Sequence, residues 1–252
     1  MELIIHEQYL LGCGLYGNVY FGTLDGEEVA VKEAHEWSPS LLAEESRLLE
    51  LCDHPNVVKW IGDRQNGRYL IMEYARGGDL GRHLGFGKFS IGRKQSLVLQ
   101  ICSGLEYLHS KNIMHRDIKA QNLLFRDTQL EHILIADFGL AHFYTERSTF
   151  KNYHDIVPDL VYTYKSDIYL LGMLVFQIFQ DWPGVDRLRL ASRIRRAPCF
   201  YPLEIYGSEE IFGVIVRSVD EDPKKRPTLQ VFKAAFESTA GSFIDSLAFY
   251  EF

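Results

Sequence analysis

The sequence predicts an α+β protein with two unequal lobes, a small β-rich lobe with one helix followed by a larger, mainly α-helical lobe. In the first part of the chain, hydrophobic residues alternate with polar ones, as in half-buried strands. In the later part, apolar residues recur at helical spacing. The glycine-rich stretch from Ala75 to Leu80 separates the two patterns and is typical of a flexible connection. We therefore assign the first lobe to residues 1–74, and the connection with the second lobe to residues 75–252.

In the first lobe, strands both precede and follow the helix. Residues 9–34 are expected to form three strands, with Asp25 and Gly26 as a hairpin turn. Leucines recur at helical spacing over residues 39–52, and Ser38-Pro39 is a plausible helix start. The residues expected on the buried face of this helix are Leu41, Leu42, Glu45, Leu48 and Leu49. The remaining strands expected in this lobe are 57–61 and 68–74.

Helices dominate the predicted second lobe. A long amphipathic helix is expected over residues 91–111, and residues 164–180 are so apolar that their helix should be buried. A turn at residues 222–228 precedes a final helix. The apolar side of the first of these helices consists of Leu97, Val98, Ile101, Leu105 and Leu108.

Composition excludes several classes of function. The 252 residues carry a net charge of −7, which argues against general binding to nucleic acid. No apolar run approaches the length of a membrane span, and the first residues do not resemble a signal peptide. The four cysteines are scattered, without a metal-binding Cys-x-x-Cys pair. We therefore expect a cytoplasmic protein with reduced thiols.

Gly12, Gly14 and Gly17 have the spacing G-x-G-x-x-G. Glycines let the backbone approach a ligand closely and present N–H groups to phosphate oxygens. The same spacing opens dinucleotide-binding folds, in which a helix follows the last glycine. Here a β-like stretch beginning at Val19 follows, which favours an antiparallel flap over the dinucleotide fold.

A buried ion pair is expected between the third strand and the helix. The residues Val29–Lys32 alternate, so that Lys32 faces away from the two valines. Glu45 falls on the helical face of the leucines, where a carboxylate is costly unless it is paired. Lys32 is its expected partner. The alternative is a solvated glutamate, as expected for the neighbouring Glu44.

The segment His115–Asn122 brings together a candidate base, Asp117, cations and a metal-binding amide, Asn122. Asp137 follows in the sequence Asp-Phe-Gly. Carboxylate and amide oxygens are ligands that suit Mg²⁺. Together these groups are what a phosphoryl-transfer site requires.

These motifs resemble the eukaryotic-type protein kinases over about residues 9–237. Lys119, two residues after Asp117, resembles the serine/threonine branch, because tyrosine kinases usually carry alanine or arginine nearby. The resemblance implies that residues 1–252 are one protein kinase domain with a bilobal fold. In the family's order, the matching elements are the glycine loop, Val29–Lys32, Glu45, His115–Asp117, Asp137–Gly139, Val157–Asp159, Asp167 and Arg226.

The resemblance also implies the role of each charged residue. Lys32 would hold the α- and β-phosphates of ATP and be fixed by Glu45. Asp137 and Asn122 would bind Mg²⁺. Asp117 would accept the proton of the substrate hydroxyl. Lys119 would offset charge near the γ-phosphate.

An adenine site between the lobes is implied as well. Met72 resembles the gatekeeper at the back of the pocket, and Glu73 and Ala75 would offer backbone groups to the adenine edge. His115 is expected to be a buried structural histidine. The apolar residues that would enclose the adenine are Leu11, Val19, Ala30 and Leu124.

The predicted function is transfer of the ATP γ-phosphate to serine or threonine hydroxyls of a protein substrate. One alternative is a pseudokinase scaffold that binds a partner without catalysis, although the complete set of motif residues argues against it. Another is a kinase-fold enzyme that acts on a small molecule. The sequence does not identify the natural substrate, the upstream activator, the pathway or the oligomeric state.

Regulation and substrate choice are expected to depend on residues 137–159. By the resemblance, Arg116 would pair with a phosphate in this segment, and Ser148 or Thr149 is the best-placed acceptor. Two departures from the family are Asn152, in place of threonine, and Asp159, which would pair with Arg226. Gln121, where basophilic relatives often carry glutamate, weakens any preference for arginine in the substrate.

Overall fold

The computed structural model describes residues 2–144, 163–183, 190–191, 194–195 and 208–238. It has a β-sheet lobe followed by a helical lobe, which confirms the predicted α+β class. The first lobe consists of β1 (Leu3–Cys13), β2 (Gly17–Leu24), β3 (Glu27–Ala34), α1 (Pro39–Glu50), β4 (Trp60–Arg64) and β5 (Tyr69–Glu73).

The five strands form one antiparallel sheet in the order β1-β2-β3-β5-β4. The predicted hairpin turn lies between β2 and β3, where Asp25 and Gly26 have φ of 50° and 88°. A strand follows the glycine loop, so the loop is a flap of an antiparallel sheet, as predicted. Val29 and Val31 pack together with Ile71 in a small core on one face of the sheet.

The strand expected at 57–61 begins three residues later, at Trp60. Val57 and Val58 are drawn instead to the second lobe. The N–H of Val58 donates to the carbonyl of Ile135 at 2.9 Å, and the N–H of Ile135 donates to the carbonyl of Asn56 at 2.9 Å. Val57 and Val58 thus connect the two lobes. Their hydrophobicity reflects this contact and not a strand of the first-lobe sheet.

Helix α1 presents Glu45 inward. Glu45 and Leu49 are 2% and 1% exposed, whereas Glu44 is exposed, as the periodicity predicted. Leu41 was expected on the buried face but is 40% exposed. Its neighbour Leu42, in the same first turn of α1, is fully buried, so the inward face of the helix at this end contains Leu42 and not Leu41.

The second lobe consists of β6 (Gly78–Asp79), α2 (Ile91–Ser110), β7 (Ile113–Met114), β8 (Leu123–Phe125), β9 (Ile133–Ile135), β10 (His142–Phe143), α3 (Tyr164–Gln180), α4 (Glu209–Ser218) and α5 (Leu229–Glu237). Short 3₁₀ turns cover Leu80–His83, Ala120–Asn122 and Pro223–Lys225. The connection at 75–80 is more regular than expected, because Gly78 and Asp79 pair with β8.

The long helices have the predicted burial; α3 has the predicted bounds, and α2 ends one residue earlier than predicted, at Ser110. The five apolar residues expected on the inner side of α2 are fully buried, and α3 is buried along nearly its whole length. Strands β6, β8 and β9 form a small sheet that carries the segments around Asn122 and Asp137 to the surface that faces the first lobe. Among the described residues, no helix is long and apolar enough to cross a membrane.

Candidate active site

A cleft of about 980 Å³ lies between the two lobes. It collects nearly all of the residues that the sequence predicted for the site. Ala30 is the exception, since it is buried opposite Met72 in the sheet and is not among the residues that line the cleft. The predicted site residues that line it are Leu11, Gly12, Gly14, Gly17, Val19, Lys32, Glu45, Met72, Glu73, Ala75, Asp117, Lys119, Asn122, Leu124 and Asp137.

Lys32 is held between two carboxylates at the back of the cleft. Its Nζ atom lies 2.9 and 2.8 Å from the two carboxylate oxygens of Glu45, and 2.9 Å from Oδ1 of Asp137. The predicted pair of Lys32 and Glu45 is therefore formed. The contact with Asp137 joins strand β3 to a residue 105 positions away in the chain.

Electrostatics favour the charged forms of Lys32 and Asp137, whereas burial raises the pKa of Glu45 above its ordinary value. Burial by itself lowers the pKa of Lys32, but the charges of Glu45 and Asp137 outweigh it and raise the pKa above its ordinary value. Burial raises the pKa of Asp137, yet the nearby ammonium group of Lys32 holds it below its usual range. At neutral pH the amine is cationic and Asp137 is a carboxylate, as binding of phosphate and of a divalent cation requires.

Asp117 lies at the front of the same cleft, within reach of two other predicted residues. The Nζ atom of Lys119 lies 2.5 Å from Oδ2 of Asp117. The amide nitrogen of Asn122 donates to the same oxygen and to the Asp117 carbonyl, at 2.9 Å each. These bonds fix the Asp117 carboxylate and leave the Oδ1 atom of Asn122 turned away from it.

The backbone before Asp117 is fixed by Asp167 of α3. The Oδ1 atom of Asp167 accepts from the N–H of Arg116 at 2.7 Å, and Oδ2 accepts from the N–H of His115 at 3.0 Å. The ring of His109 lies 2.8 Å from Oδ2. Burial raises the pKa of Asp167, but the bond and charge of His109 lead the contributions that hold it below the ordinary value. Asp167 was expected from its motif, whereas His109 was not.

His115 has the structural role that was predicted. It is fully buried, its ring meets that of Phe138 edge-on with centroids 5.2 Å apart, and its Nε2 atom lies 3.1 Å from the carbonyl oxygen of Ala136. Phe138 and Leu49, from different lobes, belong to the same hydrophobic core. The side chain of Arg116 donates to the carbonyl of Leu140, in the segment after Asp137.

Gly17 of the glycine loop is required by close packing. A β-carbon on Gly17 would lie 2.2 Å from the carbonyl oxygen of Glu33 in β3, whereas one on Gly12 would meet no atom within 4 Å. The loop is closed by a bond of 2.9 Å from the N–H of Gly14 to the carbonyl of Gly17. Gly12 and Gly17, which are equivalent in the motif, therefore differ in whether the structure has room for a side chain.

The predicted adenine region joins the two lobes. The side chain of Glu73 turns out of the cleft, where it accepts from the N–H of Lys59 at 2.7 Å and from Nε of Arg126 at 2.9 Å. The Glu73 side chain is thus engaged by Lys59 and Arg126, and only the backbone of Glu73 is left for the predicted contact with the adenine edge. Val19 and Leu124 line the cleft from opposite lobes.

Some expectations concern residues that the structure does not describe. Ser148, Thr149, Asn152 and Asp159 lie outside the described residues, as does the predicted Val157–Asp159 motif. The described partners of Arg226 are the carbonyls of Lys165, Asp220 and Glu221 and the ring of Tyr169, 4.6 Å from the guanidinium carbon.

Sequence reasoning did not foresee the contacts of two residues that border the cleft, Tyr16 and Arg82. Tyr16 of the glycine loop reaches Gly139, since a β-carbon there would lie 3.0 Å from its Cδ2 atom. Arg82 pairs with Asp79 at 2.7 Å and lies 3.3 Å from the carbonyl of Leu11 across the cleft. No periodicity or motif predicted these contacts. Tyr16 and Gly139, and likewise Arg82 and Leu11, are far apart in the chain, and neither Tyr16 nor Arg82 belongs to a motif that assigns it a partner.

Comparison with known proteins agrees with this geometry. The sequence model of the protein kinase domain family matches residues 5–236, which is most of the chain. The chain belongs to the protein kinase family. The family explains why the glycine loop, Lys32, Glu45, Asp117 and Asp137 converge on one cleft, and it makes the domain one of a class that uses ATP and Mg²⁺ to phosphorylate proteins.

Similar proteins include kinases of different kinds. The domain is 31% identical over 259 residues to calmodulin-binding receptor-like cytoplasmic kinase 3 of Arabidopsis thaliana, covering 93% of this chain and 50% of the relative. It is 32% identical over 251 residues to tyrosine-protein kinase Fer of Mus musculus, covering 86% and 29%. It is 30% identical over 257 residues to mitogen-activated protein kinase kinase kinase 10 of Homo sapiens, covering 90% and 27%. The chain thus spans half or less of these relatives.

Proposed function

We propose that the chain transfers the γ-phosphate of Mg-ATP to serine or threonine hydroxyls of protein substrates. The observation that carries this proposal is the convergence of two charged clusters on one cleft. Lys32 is paired with Glu45 and Asp137, and Asp117 is contacted by Lys119 and Asn122. One cluster is suited to holding the phosphates, and the other to receiving the hydroxyl.

Nucleotide binding uses groups of both lobes. The adenine would lie between the apolar side chains of Val19 and Leu124, with Met72 behind it and the backbone of Glu73 and Ala75 at its edge. Leu11 completes the apolar wall on the side of the sheet. The cationic Lys32 would bind the α- and β-phosphates, beneath the N–H groups of the glycine loop.

The residues present fit Mg²⁺. This cation prefers oxygen ligands and retains several waters, so few protein groups are required. The carboxylate of Asp137 is 41% exposed towards the cleft. Asn122 offers Oδ1, because its nitrogen is bound to Asp117. Asp137 and Asn122 would hold the ion, which would neutralise charge on the phosphates when bound.

Asp117 is the proposed base for the transfer. Its carboxylate would orient the substrate hydroxyl and accept its proton as the oxygen attacks the γ-phosphorus. Lys119 lies beside the same carboxylate and would offset the negative charge that develops on the phosphoryl oxygens. The two bonds from Asn122 keep Asp117 from turning out of this position.

Specificity for serine and threonine rests on Lys119. Its place two residues after Asp117 resembles the serine/threonine branch, and its ammonium contacts the Asp117 carboxylate. The relatives do not decide between serine/threonine and tyrosine specificity, since one is by name a tyrosine kinase.

We further propose that residues 1–252 form one domain divided after residue 74. We also propose that it works in the cytoplasm, where thiols such as Cys13, Cys52 and Cys102 stay reduced.

The test is incubation of the chain with radiolabelled Mg-ATP and a protein mixture, followed by phosphoamino acid analysis. Label on serine and threonine that disappears in Asp137→Asn supports the proposal. Label on tyrosine alone would contradict the specificity and leave the kinase activity standing. The scaffold alternative is favoured if the wild-type chain binds nucleotide but labels no more protein than Asp137→Asn does.

A further inference from the structure

The glycine loop is held from outside by the short segment between β3 and α1. The N–H of His35 donates to the carbonyl of Tyr16 at 3.1 Å, and the hydroxyl of Ser38 donates to the same carbonyl at 2.6 Å. The Nε2 atom of His35 lies 3.2 Å from the carbonyl oxygen of Gly14. Two carbonyls near the tip of the loop therefore point towards residues 35–38.

These contacts determine where the loop's N–H groups point. In a trans peptide unit, the carbonyl and the N–H point in opposite directions. Because the carbonyls of Gly14 and Tyr16 point towards residues 35–38, the N–H groups of Leu15 and Gly17 point away from them. Leu15 and Gly17 both line the cleft. N–H groups turned in this way are suited to phosphate oxygens.

Ser38 has an unusual role for its position. It precedes α1 as the N-cap residue, where a serine side chain ordinarily accepts a hydrogen bond from the first turn. No N–H of the described first turn donates to this hydroxyl. Instead the fully buried side chain binds the glycine loop, while its backbone carbonyl accepts from Leu41 and Leu42. One residue thus belongs to the helix and anchors the loop.

The same helix also carries the partner of Lys32. Glu45 follows Ser38 by seven residues, which is about two turns, so the two lie on one face of α1. A displacement of α1 that drew Glu45 away from Lys32 would also pull Ser38 away from Tyr16. The ion pair and the loop anchor are therefore mechanically connected through α1.

The ring of Tyr16 extends the connection to the Asp137 segment. It meets the ring of Trp37 edge-on, with centroids 6.0 Å apart. On its other side it packs against Gly139, where a β-carbon would lie 3.0 Å from Tyr16, 3.3 Å from Asp137 and 3.4 Å from Glu45. The loop tip, the start of α1 and the Asp137 segment thus meet at one point.

We propose that Ser38 is a positioning residue, which couples the glycine loop to α1 so that the loop is ordered over the phosphates only when the Lys32–Glu45 pair is formed. This inference rests on the proposed function, because it concerns how the kinase holds its nucleotide. It assigns Ser38 no contact with the reacting atoms.

The first experiment compares Ser38→Ala with Ser40→Ala, an exposed serine two residues further on. Without nucleotide, hydrogen exchange of residues 12–17 should be faster in Ser38→Ala, while that of α2 is unchanged. Affinity for Mg-ADP, measured by calorimetry, should fall about two- to tenfold, as expected for loss of one hydrogen bond. Ser40→Ala should match wild type. Identical loop exchange in both variants would overturn the proposal.

If Ser38→Ala fails to fold, a second pair of variants at His35 tests whether the segment 35–38 anchors the loop. His35→Gln retains a donor that can reach Gly14, whereas His35→Leu does not. Faster loop exchange in His35→Leu than in His35→Gln supports the anchor, and equal exchange contradicts it. Loop exchange is measured without nucleotide. A wild-type chain that failed to bind Mg-ADP would therefore count against the proposed function, while the exchange data would still test the anchor.

The coupling to α1 has its own test. Ser38→Ala should weaken Mg-ADP binding by a smaller factor in a Glu45→Gln background than in wild type, because the ion pair and the anchor act through one helix. Equal factors in the two backgrounds would mean that the loop and α1 are independent.

Discussion

The carboxylate of Glu45 lies 2.8 Å from the ammonium nitrogen of Lys32, and both side chains are almost completely buried. The pair joins α1 to β3. Because Lys32 also contacts Asp137 in the second lobe, the alignment of three separate segments depends on one amine. Substitution of Glu45 should therefore disturb all three segments.

Glu45→Gln should strongly reduce phosphoryl transfer. The amide keeps the shape of the side chain but cannot balance the buried charge of Lys32, so the amine would turn more fully towards Asp137. Loss of this partner should destabilise the fold by about 1–3 kcal/mol. Steady-state kinetics and urea unfolding measure the two effects. Glu50→Gln, at an exposed position of the same helix, is the control and should behave as wild type.

Gly17→Ala should be destabilising where Gly12→Ala is tolerated. The methyl group at position 17 would lie 2.2 Å from the carbonyl oxygen of Glu33, so β2 and β3 must separate, whereas position 12 has open space. Overpacking of this kind costs about 1–3 kcal/mol. The melting temperature of Gly17→Ala should fall by about 2–10 °C, given the size of the domain. Equal melting temperatures for the two variants would show that β3 yields without strain.

Asp167 should contribute stability that depends on pH. Its pKa in the fold is below the ordinary value of 3.8, so the unfolded chain binds the proton more readily. The contribution is complete well above pH 3.8 and is lost as the pH falls through the lower, folded pKa. At pH 7, Asp167→Asn should be less stable by about 3–5 kcal/mol, because the amide cannot accept all three bonds from His109, His115 and Arg116.

The measurement is urea unfolding of wild type and Asp167→Asn from pH 7 down to about pH 2, so that the range extends well below the ordinary pKa of 3.8. The difference in unfolding free energy should narrow as the pH approaches the lower limit. A difference that stayed constant over this range would mean that the Asp167 pKa is the same in the folded and unfolded chains.

The sequence was sufficient to predict the parts of the site that follow a period or a fixed motif. Glu45 could be distinguished from Glu44 because burial of a helix face follows from spacing. The β-like stretch after Gly17 favoured an antiparallel flap over the dinucleotide fold. The same reasoning placed the start of β4 too early. Val57 and Val58 are apolar because they pack near Ile135, a residue far away in the chain, and not because they belong to the first-lobe sheet. Local hydrophobicity does not show which lobe a residue will pack against.

Contacts between remote segments could not be predicted in this way. The bond from Ser38 to Tyr16 uses a serine whose local role would be to cap α1, and nothing near it in the chain indicates the other partner. Likewise, the reach of Lys32 to Asp137 and that of Arg82 to Leu11 depend on how the lobes close. Such contacts arise from tertiary structure, and only a structure reveals them.

The most direct test of the central claim is the rate of phosphate transfer to protein by Asp117→Asn, compared with wild type and with Asp53→Asn, an exposed aspartate outside the cleft. If Asp117 accepts the proton of the hydroxyl, kcat should fall by about 10²–10⁴, while affinity for Mg-ADP changes little. Asp53→Asn should match wild type. Transfer by Asp117→Asn at the wild-type rate would contradict the account.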